Sequence, residues 1–74
     1  MATKYIINKN AQTTGEHEVH AEAYCTEGNL PYPENRIFLG NYTNCSAPIR
    51  DARLKWPHLT IDGCAHCFPA CHTR

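Results

Sequence analysis

Gly63-Cys64-Ala65-His66-Cys67-Phe68-Pro69-Ala70-Cys71-His72 holds three of the five cysteines and two of the five histidines of a 74-residue chain. This stretch decides how so short a chain is held together. Thiolates and imidazoles at this density are the ligands of a tetrahedral zinc site. Cys64-x2-Cys67 is the strongest local signal, because two thiolates at that spacing chelate one ion while the backbone between them wraps around it. A structural zinc needs four ligands, so this pair is incomplete. Cys71 or His72 can extend the set, although these adjacent residues do not easily both bind an ion already held by Cys64 and Cys67. A ligand from elsewhere in the chain, His20 or Cys25, would instead pin the tail across the body of the fold. The expectation is one zinc ion on Cys64, Cys67 and Cys71, with His72, Cys25 or His20 as the fourth ligand.

The size of the chain leads to the same expectation. A single domain over residues 1–74 hides only about 60% of its unfolded surface, and chains below roughly 80 residues usually need a disulfide, metal or partner staple. Large apolar residues such as Ile6, Ile7, Val19, Ile37, Ile49, Trp56 and Ile61 are thinly spread. Five cysteines is an odd number, so intramolecular pairing cannot use them all. The start, Met1-Ala2-Thr3-Lys4, leads directly into Tyr5-Ile6-Ile7 with no apolar export segment. A cytoplasmic, reducing location is therefore expected, which favours metal over a disulfide framework.

Seven basic residues balance seven acidic ones. No basic face of the kind that binds nucleic acid is evident, since Asp51 interrupts Arg50, Arg53 and Lys55. No apolar run of membrane-spanning length occurs.

Residues 4–9 read as a strand rich in β-branched and aromatic side chains. Residues 10–15 form a turn-rich connector. Residues 16–24 read as a second strand, with His17, Val19, Ala21 and Ala23 on one face and Glu18, His20, Glu22 and Tyr24 on the other. Pro31 and Pro33 make residues 26–36 a loop, and Arg36-Ile37-Phe38-Leu39-Gly40 suits a third strand. Cys45, Ile49, Ala52 and Trp56 share one helical face, so a helix is expected over residues 47–56, capped by Ser46 and stopped by Pro57. Leu59-Thr60-Ile61 is a last short strand. The fold class is small α+β: an antiparallel sheet of three to four strands, one helix packed on it, and a Cys/His-rich C-terminal tail.

Bland roles compete for several of these residues. Cys45 reads first as a small core hydrophobe and second as a ligand. His17 reads as a core histidine as readily as a ligand, and His20, between Glu18 and Glu22, reads first as a solvated position and second as a ligand. His58 and His66 read as surface residues. Conventional catalysis finds no support. His17-Glu18-Val19-His20 is not the helical His-Glu-x-x-His of metalloproteases, because its histidines stand three apart on a strand. A catalytic redox pair at Cys64 and Cys67, with Cys71 resolving, is the alternative, but it lacks the supporting helix that follows such a motif.

Tyr5-Ile6-Ile7-Asn8, Gly15-x-His17-Glu18-Val19-His20, Leu39-Gly40-x-Tyr42-x-x-Cys45 and Asp62-Gly63-Cys64-x2-Cys67-x3-Cys71-His72 together resemble a group of short uncharacterised bacterial proteins. The resemblance covers nearly the whole chain. It implies a small bacterial cytosolic protein and no particular activity. The sequence reading is thus a non-enzymatic zinc-stabilised binding or adaptor module with no catalytic residues, an unidentified protein partner, no nucleic-acid or membrane partner, and a monomeric or homodimeric state. The alternative is a thiol-disulfide redox protein using the C-terminal CxxC.

Overall fold

The computed structural model describes residues 2–25, 30–65 and 67–71. Strands β1 (Thr3–Asn8), β2 (Glu16–Ala21) and β3 (Arg36–Tyr42) are followed by helix α1 (Ser46–Lys55) and strand β4 (Thr60–Gly63). Short 3-10 turns cover Pro33–Asn35 and Pro69–Cys71. The four strands form one sheet in the order β3-β1-β2-β4, with α1 packed on one face.

β1 and β2 make the expected hairpin, pairing Tyr5 with Ala21, Ile6 with His20 and Ile7 with Val19. Its connector closes tightly. Gly15 N donates to Gln12 O at 2.8 Å and Gln12 N to Glu16 O at 2.9 Å. Gly15 takes φ +99° there, a backbone conformation that a side chain would strain. β2 ends at Ala21, three residues before the expected end. Tyr24 N and Cys25 N both donate to Ala21 O, which turns the chain back over the sheet.

The sheet is mixed, which corrects the expectation of a purely antiparallel one. β1 pairs antiparallel with β2 and β3, while β4 pairs parallel with β2. The cause is the strand–helix–strand unit formed by β3, α1 and β4. The helix carries the chain back along its length, so β4 sets out in the same direction as β3 and therefore as β2. A bulge between Tyr5 and Ile6 interrupts the β1–β3 pairing. Gly40 lies opposite Tyr5 with φ +141°, where an added Cβ would stand 3.1 Å from the Tyr42 ring.

α1 begins one residue earlier than expected, and Ser46 is not its cap. Cys45 occupies the capping position without a side-chain bond. Asn44 supplies the acceptor instead: its Oδ1 receives Ala47 N at 3.0 Å and Ser46 Oγ at 2.9 Å. The expected apolar face is present. Ile49 and Ala52 are buried against Tyr5, Ile7, Val19, Ala21 and Ile61, with Cys45 and Trp56 packed at the margin. Arg53 donates from Nε and Nη2 to Ile61 O, at 3.2 and 2.8 Å, and so fastens the helix to β4. Among the described residues, no helix is long and apolar enough to cross a membrane.

The face of the sheet opposite α1 carries Ile6, Phe38, Glu18, His20 and Asp62, as the strand registers require. Ile6 and His20 are each only 1% exposed, whereas Phe38 is 56% exposed, so this face is covered around His20 and open at Phe38. Arg36 links the neighbouring segments, donating to Pro31 O at 2.8 Å and to Glu22 Oε2 at 2.9 Å.

Candidate metal and thiol centre

Parallel pairing of β2 with β4 places the C-terminal ends of both strands side by side. His20 lies near the end of β2 and Cys64 directly follows β4, with Cys64 N donating to Val19 O at 3.1 Å. Had β4 run antiparallel to β2, Cys64 would have emerged at the far end of the sheet. Two turns then add their sulfurs. The turn after β2 brings Cys25 back over His20, with Cys25 Sγ 3.6 Å from His20 Nδ1. In the tail, Phe68 N donates to Cys64 O at 2.8 Å and closes a turn containing Cys67.

One ligand atom from each of His20, Cys25, Cys64 and Cys67 lies within 4.8 Å of the other three. His20, Cys25 and Cys64 are buried and Cys67 is half-buried. A tetrahedral zinc with Zn–S bonds of about 2.3 Å sets its sulfurs about 3.8 Å apart. To match that geometry the bonded sulfurs of Cys25 and Cys67 must part, and the remaining pairs need to close by no more than about an ångström. Three cysteines and one histidine are also a standard structural zinc set.

Burial, and secondarily the charge of Arg36, lower the His20 pKa from 6.5 to about 4. The imidazole is therefore neutral near neutral pH, which is the form a metal accepts. Its two nitrogens face different neighbours. Nδ1 faces Cys25, while Nε2 lies 3.8 Å from Glu18 Oε1. With a metal on Nδ1, the Nε2 proton would point at the carboxylate, an outer-shell arrangement that orients metal-bound histidines.

The sulfurs also pair. Cys25 and Cys67 form a disulfide with Cα atoms 5.2 Å apart, and Cys45 and Cys71 form another at 6.4 Å. Cys64 remains a buried thiol. Three of the expected metal ligands thus stand together with His20: Cys25, Cys64 and Cys67. Cys71 stands apart from them, bonded to Cys45. His72 lies outside the described residues, as does His66. The cysteines of the C-terminal CxxC are not bonded to each other, which differs from the redox arrangement of the sequence reading.

Cys45 is more than the expected core filler, since it anchors the tail at the start of α1. No sequence signal marked it, because its partner lies 26 residues away. His17 faces the helix side, and its Nδ1 lies 3.1 Å from Asn8 O, a structural role. His58 is exposed, as expected. A separate concavity lined by Ile7, His17, Trp56, Leu59 and their neighbours has a volume near 50 Å³. That is far below the roughly 300–1,000 Å³ of small-molecule pockets.

No family model matches the chain, and neither any curated protein nor any solved structure matches it.

Proposed function

We propose that this chain is a small non-enzymatic binding module whose C-terminal tail is fastened to the sheet by one zinc ion on His20, Cys25, Cys64 and Cys67. The observation that carries this reading is the convergence of the four ligand atoms at the shared end of two parallel strands. The ion would join the turn after β2, the end of β4 and the tail, all of which a 74-residue core secures poorly. Its ligands are a neutral imidazole and three thiols that must ionise to bind. A reducing cytoplasm would keep those thiols available.

The module's partner would be a protein. Tyr24, Tyr32 and Phe38 expose 65%, 75% and 56% of their surface, and exposed aromatic rings of this kind are favoured at protein interfaces. All three lie on segments joined around Glu22: Tyr24 in its turn, Tyr32 beside the Pro31 carbonyl held by Arg36, and Phe38 beneath Lys4, whose Nζ is 3.5 Å from Glu22.

Native mass spectrometry tests the metal. Protein purified under reducing conditions, without a metal-affinity column, is expected to exceed its denatured mass by one zinc. EDTA is then expected to remove the ion and lower the melting temperature, because metal affinity at such a site is folding free energy. A reduced chain that carries no metal and melts identically with and without EDTA would refute the reading.

A further inference from the structure

We infer that this centre is a peroxide-responsive metal-release switch, in which Cys25 and Cys67 form the disulfide that expels the ion while Cys64 stays a thiol. The inference rests on the zinc reading above and adds a regulation to the same site.

Cys25 and Cys67 belong to two arrangements at once. They are half of the four-ligand group, and they are a bonded pair. These roles exclude each other, because a metal ligand must be a thiolate and a disulfide sulfur is not. Once the pair is bonded, only His20 and Cys64 remain, two short of the four ligands that a structural zinc requires.

The fold separates the sulfurs that pair from the ligands that do not. His20 is within β2 and Cys64 directly follows β4, whereas Cys25 and Cys67 both lie on turns. With Cα atoms 5.2 Å apart, Cys25 and Cys67 can bond without any shift of the strands. Access also differs. Cys67 is half-buried, Cys25 is 7% exposed and Cys64 is fully buried. Of the three sulfurs of the centre, Cys67 is therefore the one that a small oxidant reaches first. The Cys25–Cys67 bond itself ties the tail to the turn after β2 once the ion leaves, so release does not require the tail to detach.

The chemistry balances with hydrogen peroxide as oxidant. The Cys67 thiolate attacks one peroxide oxygen, the O–O bond breaks, and Cys67 becomes a sulfenic acid as hydroxide departs. The Cys25 thiolate then attacks the Cys67 sulfur, the S–O bond breaks, and the disulfide forms as a second hydroxide departs. Two protons from solvent convert the hydroxides to water, the zinc ion passes to solvent, and the Cys64 thiolate it leaves takes a third proton and becomes a thiol. Two electrons have moved from the sulfurs to the peroxide. A dithiol reductant returns them by thiol–disulfide exchange and restores the ligand set.

The test uses the wild-type chain, reduced, loaded with zinc and its metal content measured, then treated with two equivalents of hydrogen peroxide, enough for both cysteine pairs. A chromogenic chelator reads zinc release, and differential alkylation with peptide mapping reads the linkage. The expected result is one zinc released per Cys25–Cys67 bond formed, Cys64 alkylated only after denaturation, and zinc rebinding after dithiothreitol. Zinc that stays bound, or that leaves with Cys64 in the new bond, overturns the switch while the zinc reading stands. A reduced chain that binds no zinc at the outset overturns both.

Discussion

The two cysteine pairs tie the same tail to the same body, yet their surroundings differ in kind. Cys45 and Cys71 pack against the apolar core under α1, with Tyr5, Phe68 and Ile49 in the same cluster. Cys71 lies so close to β4 that a Cβ on Gly63 would stand 3.0 Å from its Cβ and its carbonyl oxygen. Cys25 and Cys67 lie on the opposite side of the sheet with a neutral imidazole and a third thiol, and with the Glu18 carboxylate behind the imidazole. Apolar neighbours leave a disulfide no alternative partner, so the first pair can only staple. Neighbours of a kind that can ligate would give the second pair a choice between each other and a metal.

Removing the ligand that takes no part in either disulfide breaks this comparison most severely. Cys64→Ser should abolish the one-zinc mass excess of the reduced protein and leave both disulfides able to form. Structural zinc is worth about 10–16 kcal/mol of apparent binding energy in small domains. The reduced variant should therefore lose its cooperative melt, while the oxidised variant retains one. Native mass spectrometry and thermal circular dichroism read the two effects. A variant that still carries a full equivalent of zinc would remove Cys64 from the centre.

Cys45→Ala is the reciprocal experiment. A bridge across 26 residues restrains the unfolded chain by about 3.5 kcal/mol on loop-closure grounds. For a domain of this size, such a loss lowers the melting temperature by roughly 15 °C or more under oxidising conditions. Zinc content of the reduced protein should not change. If Cys45→Ala also empties the metal centre, the two pairs are not independent and the contrast between them fails.

Much of this contrast is invisible in the sequence. The helix phase was legible, because Cys45, Ile49, Ala52 and Trp56 recur at helical spacing and Ile49 and Ala52 are indeed buried. β1 was legible from its run of branched and aromatic residues. The strand–helix–strand order was visible too, but the parallel pairing that it implies was missed, and that pairing brings His20 beside Cys64. Local spacing marked Cys64 and Cys67, whereas their neighbours Cys25 and His20 come from some 40 residues earlier in the chain. His20 reads first as a solvated position although it is buried, because alternation assigns a residue to a face and says nothing of what covers it. Here Cys25 turns back over the ring, with its Sγ 3.6 Å from His20 Nδ1. The sulfur pairing was beyond local reasoning altogether, since it depends on how the tail turns after Gly63.

Glu18→Gln sharpens the comparison on the metal side alone. Glu18 Oε1 lies 3.8 Å from His20 Nε2 on the side away from Cys25. Loss of its charge should weaken the hold on the Nε2 proton and thereby the basicity of Nδ1. Outer-shell substitutions of this type cost about 10–100-fold in metal affinity. Competition against a chelator of known affinity should show a loss of about tenfold or more, with Cys45–Cys71 formation unaltered. Unchanged zinc affinity would mean that Glu18 does not orient the histidine.

The smallest effect concerns the turn that presents Cys25. Glu22 begins that turn and accepts from Arg36 at 2.9 Å, with Lys4 Nζ 3.5 Å away. The Arg36 hydrogen bond, followed by the charges of Lys4 and Arg36, outweighs desolvation and holds the Glu22 pKa below its usual value. A carboxylate with a depressed folded pKa binds fewer protons folded than unfolded across the interval between the two values. Its stabilisation is therefore present above the ordinary glutamate pKa and is lost as pH falls through the lower folded value. The group is part-exposed, so the contribution should be below about 1 kcal/mol. The measurement is best made on the oxidised, metal-free chain, where acid cannot act by stripping zinc. Glu22→Gln should melt a few degrees below wild type at pH 7, and the difference should shrink as pH falls below the ordinary glutamate range. A difference unchanged down to the acid limit of the fold would show that Glu22 supports the Cys25 turn by packing rather than by its charge.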